Sequence, residues 1–345
     1  MKFVTTNLDG VSLGMPRGSG RSASFDISRP ATAGFRVRSD DPLWDEIADE
    51  ETMLKIYGED DALLYWGPVV SDEENGSGQG SSTQVSSSDL AWRFAARYVG
   101  KDPSGVGTKF TAQPVGTIVS TLLAALNAED PTGVTIGTVD PLLSVTTTYL
   151  WKRMLDVVTE LGAPAGSYEW QLRYTDGTPP VVQLDLLAAL GTDRTSAVFF
   201  EYGCGKRNCK AYSRVRTRDR LATHVWALGS GSTIVASAFD TAAADELRSR
   251  YEDVLALGGI TVVALLDALA AAHVAVRSQP RRIYSMTPFR GGPVFGVDYK
   301  LGDLVTCRIV SEGSVRANGA ARVWGVSVEP DDLGLVTAIP RLVPA

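Results

Sequence analysis

Cysteine and histidine are almost missing from this 345-residue chain, which has Cys204, Cys209 and Cys307 and only His224 and His273. An odd number of cysteines in a long chain is not a disulfide framework. Cys204 and Cys209 flank the tetrapeptide GKRN, with Cys307 remote in sequence, and two histidines leave a four-ligand zinc site needing an uncommon mixed set. The thiols therefore read as structural, and no metal or cofactor is expected. Long apolar runs are missing too. The most apolar segment, Ile260 to Val276, is shorter than the roughly 20 residues of a membrane span and is interrupted by Asp267 and His273, so it reads as a buried helix. The opening MKFVTTNLDG has no apolar signal core, and nothing in it directs the chain to secretion.

Excess positive charge is also lacking. A formal charge of -7 argues against bulk binding to phosphates, so any basic patch is local, and mild acidity suits solubility before assembly. There is no G-x-S-x-G elbow, no H-E-x-x-H helix and no G-x-x-x-x-G-K phosphate loop. Asp60-Asp61 and Asp331-Asp332 read as solvated surface carboxylates, and His224 and His273 as packed or capping residues. The expectation is a protein that is not an enzyme. Trp44, Trp66, Trp92, Trp151, Trp170, Trp226 and Trp324 occur singly inside apolar runs, which favours core packing over a carbohydrate platform.

What is present is ordinary globular material, 44 % hydrophobic and 21 % charged, with Gly, Thr, Ser and Val leaning towards strands and turns. Short apolar runs at 24–27, 34–37, 53–57 and 62–70 read as strands. DDPLWDEIADEE, 40–51, reads as a short acidic turn capped by Asp40 or Asp41. Residues 72–88 are nearly free of apolar side chains and are expected to form a mobile hairpin loop. Helical periodicity then appears twice: Val115, Ile118, Val119, Leu122, Leu123 and Leu126 share one face, as do Leu150, Met154, Leu155, Val158 and Leu161. A hairpin is expected from 168–174 and 181–187 across Asp176-Gly177-Thr178-Pro179. TAAADELRSRYEDVLAL, from Asp240 or Thr241 to Gly258-Gly259, predicts a second helix ahead of the one at 261–277. Strands resume after Pro280, with breaks at 291–293, 302–303, 312–313 and Asn318-Gly319, the last reading as a tight hairpin turn.

The most distinctive stretch is Phe199 to Gly229, FFEYGCGKRNCKAYSRVRTRDRLATHVWALG. Within a strand over 212–221, the two-residue period places Arg214, Arg216, Arg218 and Arg220 on one face, with Val215 and Leu221 on the other. One reading is a solvated face. A sharper one is a subunit contact, in which the forked guanidiniums meet carboxylates of the 40–51 segment of a neighbouring copy, Asp40, Asp41, Asp45 and Glu46. A third has the arginines facing DNA or a tape-measure protein in a channel, although a channel that DNA must leave quickly should not grip phosphates.

This block, the later VDYKLGDLVTCRIV with ARVWGVSVEPDDLG, the opening SDDPLWDEI with LKIYGEDDALLYWGPVV, and the middle TTTYLWKRMLDVVTELG with SYEWQLRY together resemble the hub proteins of phage tail tips, also called baseplate-hub or siphophage minor tail proteins. The resemblance covers nearly the whole chain and rests on the order of the motifs. It implies an α+β, β-rich fold: two barrel-like β domains around an inserted mixed α/β domain. The divisions would be 1–110 (first barrel), 111–198 (insert), 199–239 (second hub β segment), 240–279 (helical pair) and 280–345 (small C-terminal barrel). It also implies a homotrimer located in the virion after assembly in the host cytoplasm. Its partners would be a distal tail protein, a tape-measure protein and a tip or fibre protein, with DNA only in transit. Several relatives continue into fibre-like or peptidoglycan-cleaving extensions, whereas this chain stops at Ala345, which favours a connector. A peptidoglycan-cleaving tail enzyme, a receptor-binding tip and the hub of a contractile tail or tailocin are the alternatives.

Overall fold

The apolar alternation at the two ends of the chain builds one sheet between them, and the middle of the chain builds four smaller ones. The computed structural model describes residues 1–16, 19–38, 40–44, 52–77, 80–141, 143–162, 167–218, 221–229, 234–256, 262–330 and 336–345. The N-terminal strands are β1 (Lys2–Thr6), β2 (Ser12–Gly14), β3 (Ser19–Asp26), β4 (Thr32–Arg38), β5 (Met53–Tyr57), β6 (Leu63–Ser77) and β7 (Gly80–Ser88). A short helix, Ala91–Ala96, leads into β8 (Tyr98–Val99) and β9 (Thr108–Pro114). The helix Val115–Glu129 then buries Val115, Ile118, Val119, Leu122, Leu123 and Leu126, the face its periodicity predicts.

Next come β10 (Val134–Val139), β11 (Ser144–Tyr149), β12 (Lys152–Arg153), the helix Met154–Gly162, β13 (Glu169–Thr175) and β14 (Val181–Leu187). The last two form the expected hairpin, with Leu172 opposite Leu184. In the remaining chain, β15 (Phe199–Tyr202), β16 (Cys209–Thr217), β17 (His224–Leu228) and β18 (Val235–Phe239) precede the helix Thr241–Leu247. Strand β19 (Glu252–Ala256) and the helix Val263–Arg277 follow. Last are β20 (Arg281–Pro288), β21 (Leu304–Ser311), β22 (Ser314–Pro330) and β23 (Val336–Pro344).

The large sheet runs β16-β20-β23-β22-β3-β4-β7-β6-β5-β1-β2, with β21 added on β22 and β15 added in parallel on β21. The expectation of two barrel-like domains is therefore corrected. The fold is mixed α/β with several sheets, and among the described residues no sheet closes into a barrel: the large one is open from β16 at one edge to β2 at the other. Closure requires the end strands of a sheet to pair. Here β22 is 17 residues long and serves three neighbours, β21 along its first half, β23 along its second and β3 at Gly325–Val328. The β3–β22 ladder, with Phe25 opposite Val326, joins the two ends of the chain edge to edge.

Three local expectations are also corrected. In the polar stretch expected as a loop, 72–77 and 80–88 are paired strands, with Asp72 opposite Val85 and Ser77 opposite Gly80, and the two residues between them lie outside the described ones. The hairpin is anchored by buried Val85 and Thr83 and by the Tyr65 hydroxyl, 2.7 Å from Ser87 Oγ. The helix from Asp240 ends at Leu247, where Arg248 takes a left-handed conformation at φ 52°, and the segment expected to continue it becomes β19. The helix is capped as predicted, with the Asp240 carboxylate accepting from Ala243 N–H at 2.9 Å. In the C-terminal hairpin the turn lies at Glu312-Gly313, φ 52° and 73°, and Asn318-Gly319 runs inside β22.

Two hydrophobic clusters result. One lies against the large sheet around Phe25, Phe35, Tyr65, Phe200 and Tyr299. The other fills the inserted part around Leu122, Met154, Trp170 and Leu184 and extends to Val225, Leu266 and Val274. Half-buried ion pairs link the insert to the large sheet: Arg322 of β22 with Glu169 of β13, and Lys55 of β5 with Asp176 at the hairpin turn, the latter at 3.1 Å.

Candidate assembly surfaces

The glycine turn after β15 is held by two side chains. Asn208 accepts the Glu201 N–H at 2.9 Å and donates to the Phe199 carbonyl at 2.6 Å, while buried Glu201 accepts the Lys206 N–H at 2.6 Å and pairs with Arg308 at 3.1 Å. Positive φ at Gly203 and Gly205 lets the chain reverse there, and a Cβ on Gly203 would lie 2.1 Å from the Val310 carbonyl. Parallel pairing of β15 with β21 places Phe200 opposite Cys307, so the remote cysteine comes near the other two. All three thiols are free. Burial pushes Cys209 and Cys307 up to about 12, which leaves them protonated and unreactive at neutral pH.

The turn delivers β16 to the edge of the large sheet, paired on one side only, with β20. Register sets Arg214 opposite Tyr284 and Arg216 opposite Arg282, so these arginines share a face, with Val215 on the other. Arg214, Arg216 and Arg282 are exposed and form no ion pair among the described residues. Arg218 lies beyond the strand and donates to the Tyr251 hydroxyl at 3.1 Å. Arg220, Asp45 and Glu46 lie outside the described residues. Asp40 forms a two-point pair with Arg38 of its own chain, at 3.0 and 2.9 Å, and Asp41 accepts the Leu43 N–H at 3.0 Å. The acidic and basic members of the expected contact are thus not brought together as a pair within one chain.

A second surface was not legible in the sequence. Strands β18-β17-β19 form a small sheet whose Val225 and Ala227 are buried in the core shared with the helix Val263–Arg277. The opposite face carries Trp226, 37 % exposed, Val254, 56 %, and Phe239, 63 %. The His224 ring stacks on Phe239 with centroids 5.6 Å apart and 9° between planes. Trp92 and Trp151 are also exposed, so core packing of all the tryptophans is corrected for these three, while Trp66 and Trp170 are buried. The signal available was HVWAL, apolar at odd and even positions alike, which marks a strand whose second face is not simply solvated. His273 packs instead, against Asp253 at 3.1 Å beside Arg277.

Comparison with solved structures places this arrangement. The prophage MuSo2 43 kDa tail protein from Shewanella oneidensis matches with a TM-score of 0.66 at 13 % identity, over 99 % of this chain and 98 % of that one. The fold is that of phage tail proteins. A tail protein from Neisseria meningitidis MC58 matches at 0.64 and 12 % identity, over 99 % and 97 % of the two chains. The phage-tail fold extends to the Escherichia coli protein c3393, a component of the type VI secretion system with structural similarity to the T4 tail proteins gp27 and gp5. That match has a TM-score of 0.56 at 9 % identity and covers 95 % of this chain and 73 % of c3393. No family model matches the sequence, and no curated protein sequence matches it. Among the described residues no helix is long and apolar enough to cross a membrane.

Proposed function

We propose that this chain is a structural subunit of a phage tail, the hub at its distal end. Three copies would join the tube and distal tail ring above to a tip or fibre protein below, enclosing a passage for the tape-measure protein and then DNA. The observation that carries the reading is the end-to-end structural likeness to two tail proteins, one of them from a prophage, with no large segment of either chain left over. The role is one of interfaces rather than turnover, and its place is the virion after assembly in the host cytoplasm.

The edge strand is the proposed subunit contact. Like charges directly opposite one another on a sheet are destabilising, and Arg216 faces Arg282. Carboxylates from a neighbouring copy, with Asp40 and Asp41 as candidates, would relieve this repulsion through forked pairing. Negative-stain electron microscopy of the purified chain, alone and with a distal tail ring, tests the reading. Threefold rings with an axial channel are expected, and their loss in R216E/R218E would assign the contact. Monomers under both conditions overturn the hub. A zymogram cleared by the purified chain would overturn the non-catalytic role. A likeness to a type VI secretion component supports a second reading within the same class, the hub of a contractile device, which docking onto a contractile rather than a non-contractile tube would distinguish.

A further inference from the structure

We infer that the bare face of the β18-β17-β19 sheet is the docking site for an amphipathic helix of a partner tail protein, one that carries basic residues beside its apolar stripe. Strand β17 pairs in parallel with β19, Trp226 opposite Val254, and antiparallel with β18, His224 opposite Phe239. Register therefore puts these four side chains on one face and Val225, Ala227 and Leu255 on the other, where they share a core with the helix Val263–Arg277. Parallel strand pairs ordinarily have both faces covered. Here the second face leaves Phe239 63 %, Val254 56 % and Trp226 37 % exposed, with Val235 at 44 % further along β18.

What would cover it follows from shape and charge. Three strands about 4.8 Å apart give an apolar strip roughly 10 Å wide, close to the diameter of one helix, and a single helix already covers the other side. An extended strand would cover one row of side chains and leave the others wet. Next to Phe239 the strip opens into a groove of about 350 Å³ between Ala238–Ala242 and Ala271, Val274 and Ala275 of the helix Val263–Arg277. Its alanines leave room for a bulky apolar anchor of the kind that dominates interface energetics. The charge beside it is acidic. Asp240 lines the groove, and Asp245 and Glu246 on the helix Thr241–Leu247 are exposed and form no ion pair among the described residues, with Arg248 as the neighbouring cation. Glu252, opposite His224 on β19, is already paired with Arg250 at 2.7 Å. Uncommitted carboxylates beside an apolar strip select a partner with basic flanks through charge complementarity.

The inference rests on the hub reading in taking the partner to be a tail protein, and its test separates the two. In assembled tails, Phe239→p-benzoylphenylalanine places a photo-crosslinker at the rim of the face, and Val106→p-benzoylphenylalanine is the control, Val106 being 71 % exposed in another part of the chain. Mass spectrometry after irradiation is expected to join position 239 to a segment of a different tail protein in which apolar residues recur three and four apart with Lys or Arg beside them. Position 106 is expected not to reach that segment. D245K/E246K, which reverses two exposed charges, should lower the yield at position 239 about fivefold or more while the thermal midpoint stays that of wild type. The inference is overturned, and the hub left standing, by tails that contain the chain but give no crosslink at position 239. A crosslink there to a second copy, to a segment without helical spacing or to the segment that position 106 also reaches has the same meaning, as does a yield indifferent to D245K/E246K. Tails that lack the chain overturn the hub reading, and with it the partner assigned here.

Discussion

The Arg322 guanidinium of β22 grips the Glu169 carboxylate of β13 across 153 residues of sequence, with Nη1 2.7 Å from Oε1. The same side chain donates to the carbonyls of Leu190 and Gly302, at 2.9 and 3.2 Å. Arg322 is 26 % and Glu169 21 % exposed, so three hydrogen bonds, two to Glu169 and one to Leu190, fasten the insert to the large sheet in partial seclusion from water, and a fourth holds Gly302 ahead of β21. Arg322→Met is expected to lower stability by about 2 kcal/mol, since it strands a carboxylate and two carbonyls. The urea midpoint measures it, and Arg322→Lys, which loses the two-point fork, should fall between wild type and Met.

Asp89 predicts a pH dependence. Burial pushes its carboxyl up to about 7, against the N–H groups of Ala31 and Ala91 that favour the charged form. The ordinary value is 3.8, so the folded chain holds the proton more tightly than the unfolded chain between these limits. Its contribution is complete below about pH 4 and is lost as pH rises through about 7, on the order of 4 kcal/mol in total. His273 works in the opposite direction, because burial and Arg277 depress its affinity for a proton. The measurement is therefore the difference between wild type and Asp89→Asn in urea midpoints at pH 5 and pH 8. Wild type should lose stability relative to Asp89→Asn across that interval.

Asn208 is expected to matter more than its position in a loop suggests. Asn208→Ala would leave the Glu201 N–H and the Phe199 carbonyl unpaired beside the core, at a cost of about 2 kcal/mol. Hydrogen exchange should then accelerate at Glu201 and along β16, while the β13–β14 hairpin keeps wild-type protection.

The C-terminal hairpin separates two turn signals. Glu312 sits at φ 52°, where a side chain costs roughly 1–2 kcal/mol relative to glycine. Glu312→Gly should raise the thermal midpoint by a few degrees. Asn318→Thr, on an extended strand position of β22, should leave it nearly unchanged. The reverse ranking would place the turn at Asn318-Gly319.

Local periodicity was sufficient for the elements that carry their own pattern. The helix Val115–Glu129 buries the six side chains its spacing nominated, and the β13–β14 hairpin turns at Asp176-Gly177 as its residues require. The capping carboxylate of Asp240 was equally legible, but the far end of its helix was not. Helix propensity continues through Tyr251 to Leu255, yet β17 offers β19 a parallel partner, with Val225 opposite Asp253 and Ala227 opposite Leu255. The ladder and its burial outweigh a propensity worth a few tenths of a kcal/mol per residue. The polar segments 72–77 and 80–88 became paired strands for a similar reason: β4 supplies a pairing edge for β7 that no local pattern announces.

By itself the sequence determined the class of material: strand-rich ends, an α/β middle, scarce thiols and histidines, and a confined run of arginines with a two-residue period. These follow from side-chain chemistry and from the geometry of a single strand or helix, which neighbours in the chain specify. The tertiary structure decided how the strands connect, because register between Phe25 and Val326 or between Phe200 and Cys307 depends on partners hundreds of residues apart in one case and about a hundred in the other. It opened the sheet instead of closing barrels, left β16 with a paired strand on one side only, and turned the second face of β17 into an exposed apolar surface. Edges and faces are properties of what lies alongside a strand, and only the folded chain determines that.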